Sequence, residues 1–183
     1  MKSFHNIRMQ FHRQFLNQEL KNSPRGESKM INFENAKSIG ILFDATDPEP
    51  RDRVLKYINQ LKNKNKNVKT LGFFNNKQED TNFTFKYFNV KNIDWAYRPN
   101  GDEVLEFIKQ PFEILINLDS NTKIHTEYIA ALSKASMRIG PYTENTYCYD
   151  LMIDTGNTDL NHFIQEIERV LLKTNTSHEA AKI

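Results

Sequence analysis

Ser38-Ile39-Gly40-Ile41-Leu42-Phe43-Asp44, then Thr46-Asp47-Pro48-Glu49-Pro50, then Val68-Lys69-Thr70-Leu71-Gly72-Phe73-Phe74 form the stretch that decides the fold. The first run is apolar almost without interruption and has no polar alternation, the pattern of a strand covered on both faces. Asp47 can cap a helix that begins at Pro48, where the missing N–H is no loss. Val54, Leu55, Ile58 and Leu61 would give that helix its buried face. The lysine-rich stretch 62–66 suits a helix C-terminus, where the backbone dipole favours cations. Strand, helix and strand with joints this short predict parallel pairing and a right-handed crossover.

Downstream the pattern continues. Phe83, Phe85 and Tyr87 alternate with Thr84 and Lys86, which predicts a half-buried edge strand. Residues 102–110 predict a short helix using Val104, Leu105 and Ile108 and stopped by Pro111. Residues 112–118 predict a central strand, and Ile124, Tyr128, Leu132 and Ala135 mark a further helix. Short strands are expected at 137–140 and 150–154. A last helix capped by Thr158 would bury Leu160, Phe163, Ile164, Ile167, Val170 and Leu171. The order β-α-β-β-α-β-α-β-β-α predicts a three-layer α/β fold, Rossmann-like or flavodoxin-like, with a mostly parallel sheet.

Upstream, residues 1–22 predict an amphipathic helix with two separate stripes. Phe4, Ile7, Phe11 and Phe15 form one; Met9, Leu16 and Leu20 form the other. Two stripes imply contact on two sides. Residues 23–35 predict a linker, 36–173 one α/β domain, and 174–183 a frayed tail.

The 183 residues are 38% hydrophobic and 26% charged, with net charge +2, so a single domain with a sizeable core is expected. The charge is too mild to indicate nucleic acid. The lone cysteine, Cys148, excludes an intrachain disulfide and a multi-cysteine metal site. No apolar run approaches the roughly 18 residues of a membrane span, and the first 20 residues lack a signal-peptide core. The expected compartment is the cytoplasm, where a free thiol is stable.

In open parallel sheets, ligands bind beyond the carboxyl ends of the strands. Those ends carry Asp44, Thr46 and Asp47, then Asn117 and Asp119, then Tyr142 and Glu144, then Asp154, which together make the candidate pocket. Asp44, Asp119 and Asp154 there could hold Mg²⁺ through oxygen ligands, while Asp47, Ser120 and Thr158 stand where helix caps belong and polar loops follow most strands. The turn after the first strand has no glycine and an acidic lip, against classical dinucleotide and P-loop binding. The five histidines are scattered, and no nucleophile–base pairing is visible. No catalytic residue, cofactor or metal is therefore indicated. Phe4, Ile7, Arg8, Phe11, Arg13 and Phe15, with Trp95, Tyr97 and Arg98 of an irregular segment, make a candidate interaction surface. Its expected occupants are a protein partner, a second copy, or a peripheral membrane face.

The segments KSIGILFDATDPEPRDRVLKYINQLK, FEILINLD, EYIAALSKASMRIG and YTENTYCYDLMIDTG resemble an uncharacterised family of small bacterial proteins common in Bacteroidetes. That resemblance spans residues 36–173 and implies no known activity. FEILINLDSNTKIHTEYIAALSKASMRIG is similar to the strand–helix–strand portion of heptosyltransferase-type glycosyltransferases, a likeness at the level of fold. The expected function is a non-catalytic binding or scaffold protein. The alternative is an enzyme acting on a nucleotide- or sugar-phosphate at the strand ends.

Overall fold

The computed structural model describes residues 2–24, 28–29, 31–77, 82–119, 121, 123–154, 156 and 159–179, the side chains of 2, 3 and 174–179 apart. Helix α1 (Lys2–Asn22) precedes β1 (Ser38–Asp44), α2 (Pro48–Asn63), β2 (Asn67–Phe74) and β3 (Lys86–Asn89). A 3₁₀ turn at Val90–Asn92 leads to α3 (Asp102–Lys109), β4 (Ile114–Asn117), α4 (Ile124–Leu132), β5 (Met137–Pro141), β6 (Leu151–Ile153) and α5 (Leu160–Glu179). The sheet order is β3-β2-β1-β4-β5-β6, and all pairings between these six strands are parallel. This is the Rossmann order and not the flavodoxin order, and it sets the switch point between β1 and β4.

The alternation along β1 builds both cores. Ile39, Ile41 and Phe43 pack under α2 and α5 with Val54, Ile58, Leu61, Phe163, Ile167 and Leu171. Leu42 points the other way, with Phe73, Phe88 and Leu115, beneath Val104 and Phe107 of α3, Tyr128 and Ile129 of α4, and Leu16 of α1. Gly40 lies on this second side because a Cβ there would stand 2.7 Å from the Phe112 ring.

Four sequence expectations change. The edge strand is Lys86–Asn89 and not 83–87. Phe83 and Phe85 precede it and stack on Phe74, with ring centroids 4.8 and 6.3 Å away, so their alternation reports ring packing and not a ladder. In α3 it is Phe107 that is buried, while Leu105 is exposed. The stretch read as linker is anchored in its second half: Phe33 is buried, and the Lys66 ammonium donates to the carbonyls of Phe33, Glu34 and Ala36. Helix α5 runs on to Glu179, through most of the expected frayed tail. Thr158, its expected cap, lies outside the described residues, as do Ser120 and residues 25–27 and 180–183. Asp159 accepts the His162 N–H at 2.9 Å and so takes a capping role there. Among the described residues no helix is long and apolar enough to cross a membrane.

Candidate functional site

The switch point carries an ion triad that the sequence reading did not anticipate. β1 ends at Asp44, whose Oδ1 accepts the Thr46 N–H at 2.9 Å, an Asx turn that tightens the first βα loop. β4 leads into Asp119, and four residues on stands Lys123, at the N-cap of α4. A lysine there opposes the helix dipole. It is tolerated because its ammonium lies 2.5 Å from Asp44 Oδ2 and 3.3 Å from Asp119 Oδ1. Asp119 is 2% exposed and also receives the Asn121 N–H and the Thr126 hydroxyl. Burial pushes the Asp119 carboxyl up, against the pull of Lys123. At Asp44 burial also pushes upward, but the Lys123 and Thr46 hydrogen bonds outweigh it and hold that carboxyl below its ordinary value. Burial works to lower the Lys123 ammonium, and the two carboxylates outweigh it and raise it.

Beside the triad lies a cleft of about 350 Å³ lined by Asp44, Asp47, Glu49, Arg53, Asp119 and Asp159 among others. Arg53 is paired with Glu49 and lies 3.6 Å from Asp159. Five carboxylates therefore face one guanidinium and the Lys123 ammonium, so the cleft disfavours a bare phosphate. Asp47 sits at the N-cap position of α2 without a side-chain capping bond, and its carboxylate is left to the cleft.

The other candidate pocket residues are placed elsewhere. Thr46 accepts the Asn75 N–H at 2.9 Å and ties the β1 and β2 ends together. Asn117 is wholly buried, donates to the Tyr149 hydroxyl at 2.7 Å and accepts the Asp119 N–H at 3.0 Å. Asp154 accepts the Gly156 N–H and closes its own turn. Tyr142 and Glu144 are exposed and do not line the cleft. Of the three acids read as sharing an ion, two share an ammonium and the third is apart. Among the described residues no three His, Cys, Asp or Glu side chains are grouped to hold a metal ion. Cys148 is buried, and burial pushes its thiol up, away from nucleophilic use.

The candidate interaction residues, by contrast, are brought together. Asp94 builds the 93–99 loop: its Oδ1 accepts the N–H groups of Ala96 and Arg98, and its Oδ2 accepts Arg98 Nε at 2.8 Å. This network holds Tyr97 at φ 60°, a left-handed conformation costly for a bulky residue. The loop thereby aims two carbonyls at α1. His12 Nδ1 donates to Ala96 O at 2.9 Å, and Arg8 Nε donates to Trp95 O. Burial lowers the His12 pKa, against the Ala96 hydrogen bond and Asp94. The Arg8 guanidinium lies 3.7 Å over the Tyr97 ring, and Arg98 lies 4.0 Å over Phe15. The Tyr128 hydroxyl donates to Glu19 at 2.6 Å, tying α1 to α4.

These bonds explain the two stripes of α1. His12, Leu16 and Leu20 face the body. Phe4, Ile7 and Phe11 are left 65%, 43% and 40% exposed, and Trp95, 52% exposed, meets Phe11 edge-on at 5.2 Å between ring centroids. Arg13 is exposed on a different side of the helix. The stripes are legible in the sequence, but the loop that chooses between them is not.

No curated protein and no solved structure matches the chain. Residues 8–173, which include most of α1 as well as the sheet, match the model of a family of unknown function (DUF6913), and the chain belongs to that family.

Proposed function

We propose that the protein is a non-catalytic binding or scaffold protein whose Rossmann-like body holds out a docking face built by α1 and the 93–99 loop. The exposure of Phe4, Ile7, Phe11 and Trp95 side by side carries this reading. Contiguous apolar patches of this kind mark interaction sites on soluble domains. Aromatic side chains flanked by arginine are also the composition of binding hot spots. The free buried thiol fits the cytoplasm. The test is capture of partners from an extract of the source cells by the tagged full chain. Phe11→Ser with Trp95→Ser is expected to abolish capture at a small cost in melting temperature, because both side chains lie at the surface and pack mainly on each other. Equal capture by both proteins would overturn the reading.

A second reading, an enzyme acting on a nucleotide- or sugar-phosphate, is favoured by the cleft at the switch point. The five carboxylates require that such a substrate arrive with a divalent cation. A melting screen with nucleotides and sugar nucleotides plus Mg²⁺ tests it. A specific ligand at about 100 times its Kd stabilises by about 2.7 kcal/mol, roughly 5–11 °C for a chain of this size. No shift with any of them rules this reading out.

A further inference from the structure

We infer that α1 is a detachable arm latched on His12, and that acidification releases it. The latch stands apart from the docking-face reading. Its effect on binding rests on that reading, because release parts Phe11 from Trp95. Among the described side chains of α1 only His12 and Leu16 are buried. His12, Leu16 and Leu20 stand four apart on the side turned to the body, so a titratable ring leads an otherwise apolar seam. The rest of the attachment is largely polar: Arg8 on the Trp95 carbonyl, the Tyr128 hydroxyl on Glu19, and Lys134 on Ser23. An element held by so little buried apolar surface opens before the sheet does.

The seam is a poor place for an imidazolium. His12 Nδ1 already donates to Ala96 O, so a second proton enters at Nε2. The 93–99 loop brings Asp94 and Arg98 towards the ring, and α4 brings Glu127, Tyr128 and His125. Each carboxylate is engaged elsewhere. Asp94 holds Ala96 and Arg98, Glu127 accepts the Asn145 amide, and Glu19 accepts the Tyr128 hydroxyl. Burial accordingly outweighs Asp94 and Glu127 at His12. His125 adds to the cost. Its ring lies 4.0 Å from that of Phe73, and its Nε2 is buried without a partner. Its pKa is pushed down to about 4, first by burial, then by Lys123 and in part by His12. A base whose pKa is lowered in the docked state binds fewer protons there. Docking is therefore strongest above about pH 6.5 and weakens as pH falls from there towards the lowered value, by up to about tenfold per pH unit for one imidazole.

Hydrogen exchange of the full chain at about pH 7.5 and pH 5, read at α1 and at β1 with β2, tests the inference. Taking the ratio of the two regions cancels the pH dependence of exchange itself. Protection of residues 9–20 is expected to fall by about tenfold relative to the strands. The His12 C2–H resonance should titrate below pH 6.5 over the same range. His12→Asn keeps a donor near the place of Nδ1 and cannot titrate, so it should flatten the fall. Leu16→Ala should free α1 at pH 7.5 while β1 and β2 stay protected.

Relative protection of α1 that is unchanged at pH 5 would overturn the inference, as would His12 titrating at or above pH 6.5 with α1 still docked. An equal fall in the His12→Asn chain would remove His12 as the latch, and equal quickening of α1 and the strands in Leu16→Ala would remove the arm. If His12→Asn is already undocked at pH 7.5, the native resonance and protection decide between these outcomes. Capture of partners by the native chain at the two pH values separates the two readings. Release of α1 with capture unchanged would leave the latch and remove the docking face. An α1 that stays docked, with capture still lost in Phe11→Ser with Trp95→Ser, would leave the docking face and remove the latch.

Discussion

Replacing Lys123 by methionine is expected to lower the unfolding free energy by about 3–5 kcal/mol, the cost of leaving a buried charge without its partner. Asp119 is almost wholly inaccessible to water and Asp44 is within reach of the same ammonium, so the substitution leaves two carboxylates facing each other. The Thr126 hydroxyl and Asn121 N–H remain but do not neutralise them. Asp119→Asn in the same chain should recover more than half of the loss, because the amide keeps the shape and removes the charge.

The pH dependence gives an independent check. A carboxyl whose folded pKa is raised binds more protons in the folded state, so its contribution to stability improves as pH falls. Burial already raises Asp119, and loss of Lys123 removes its main counterweight. The Lys123→Met protein should therefore become more stable relative to the native chain on going from about pH 7.5 to pH 5. Asp44, held low in the native chain, works in the opposite direction. Its contribution is present above the unfolded pKa and is lost as pH falls through the folded value. Urea denaturation at the two pH values measures the Asp119 effect, while that of Asp44 falls below both. A loss below about 1 kcal/mol with no pH difference would mean that the triad behaves as a solvated surface pair.

Arg138→Met is the second large effect, again about 3–5 kcal/mol. Arg138 is buried on β5 and donates through Nη1 to Ala130 O at 3.2 Å and Ala131 O at 2.9 Å. These carbonyls belong to the last turn of α4, where the ladder of backbone donors runs out; Ala130 O also receives the Ser133 N–H at 3.3 Å. The cation also complements the helix dipole. Its Nε lies 3.5 Å from Asp150 Oδ2, and that same carboxylate oxygen accepts the Arg138 N–H at 2.8 Å. One residue thus joins the end of α4, strand β5 and the approach to β6. Methionine keeps the bulk and removes every donor of the side chain. Arg138→Lys should rescue only part of the loss, since an ammonium lacks the planar fork that reaches both sides. Hydrogen exchange should quicken at residues 151–153, while β1 and β2 stay protected. Uniform quickening over the whole sheet would show that the residue acts only on global stability.

Much of the architecture was legible in the chain because buried parallel strands and amphipathic helices write their contacts into local periodicity. β1 reads as apolar without alternation because α2 and α5 cover one side and α1, α3 and α4 the other. The edge strand was misplaced because Phe83, Phe85 and Tyr87 alternate for the sake of ring packing on Phe74. Ladder and aromatic stack share a period of two. Asp44, Asp47 and Asp119 were found by a rule about strand ends. Lys123 was missed because a lysine at a helix start is ordinarily a solvated surface residue, and nothing near it in sequence announces Asp44.

Taken alone, the amino-acid order determined the succession of elements, the parallel pairing of β1 with β2, and the presence of two apolar stripes on α1. Each of these follows from residues within one or two turns of each other, where spacing equals geometry. Strand order, and with it the switch point, was settled only when β4 was laid beside β1. The same holds for the ion triad, which joins residues 79 positions apart. It holds as well for the choice of stripe on α1, made by carbonyls of a loop 84 and 87 positions away. Hydrogen bonds and ion pairs of this kind depend on distances of a few ångströms between distant parts of the chain, and only the packed sheet and its helices bring those parts together.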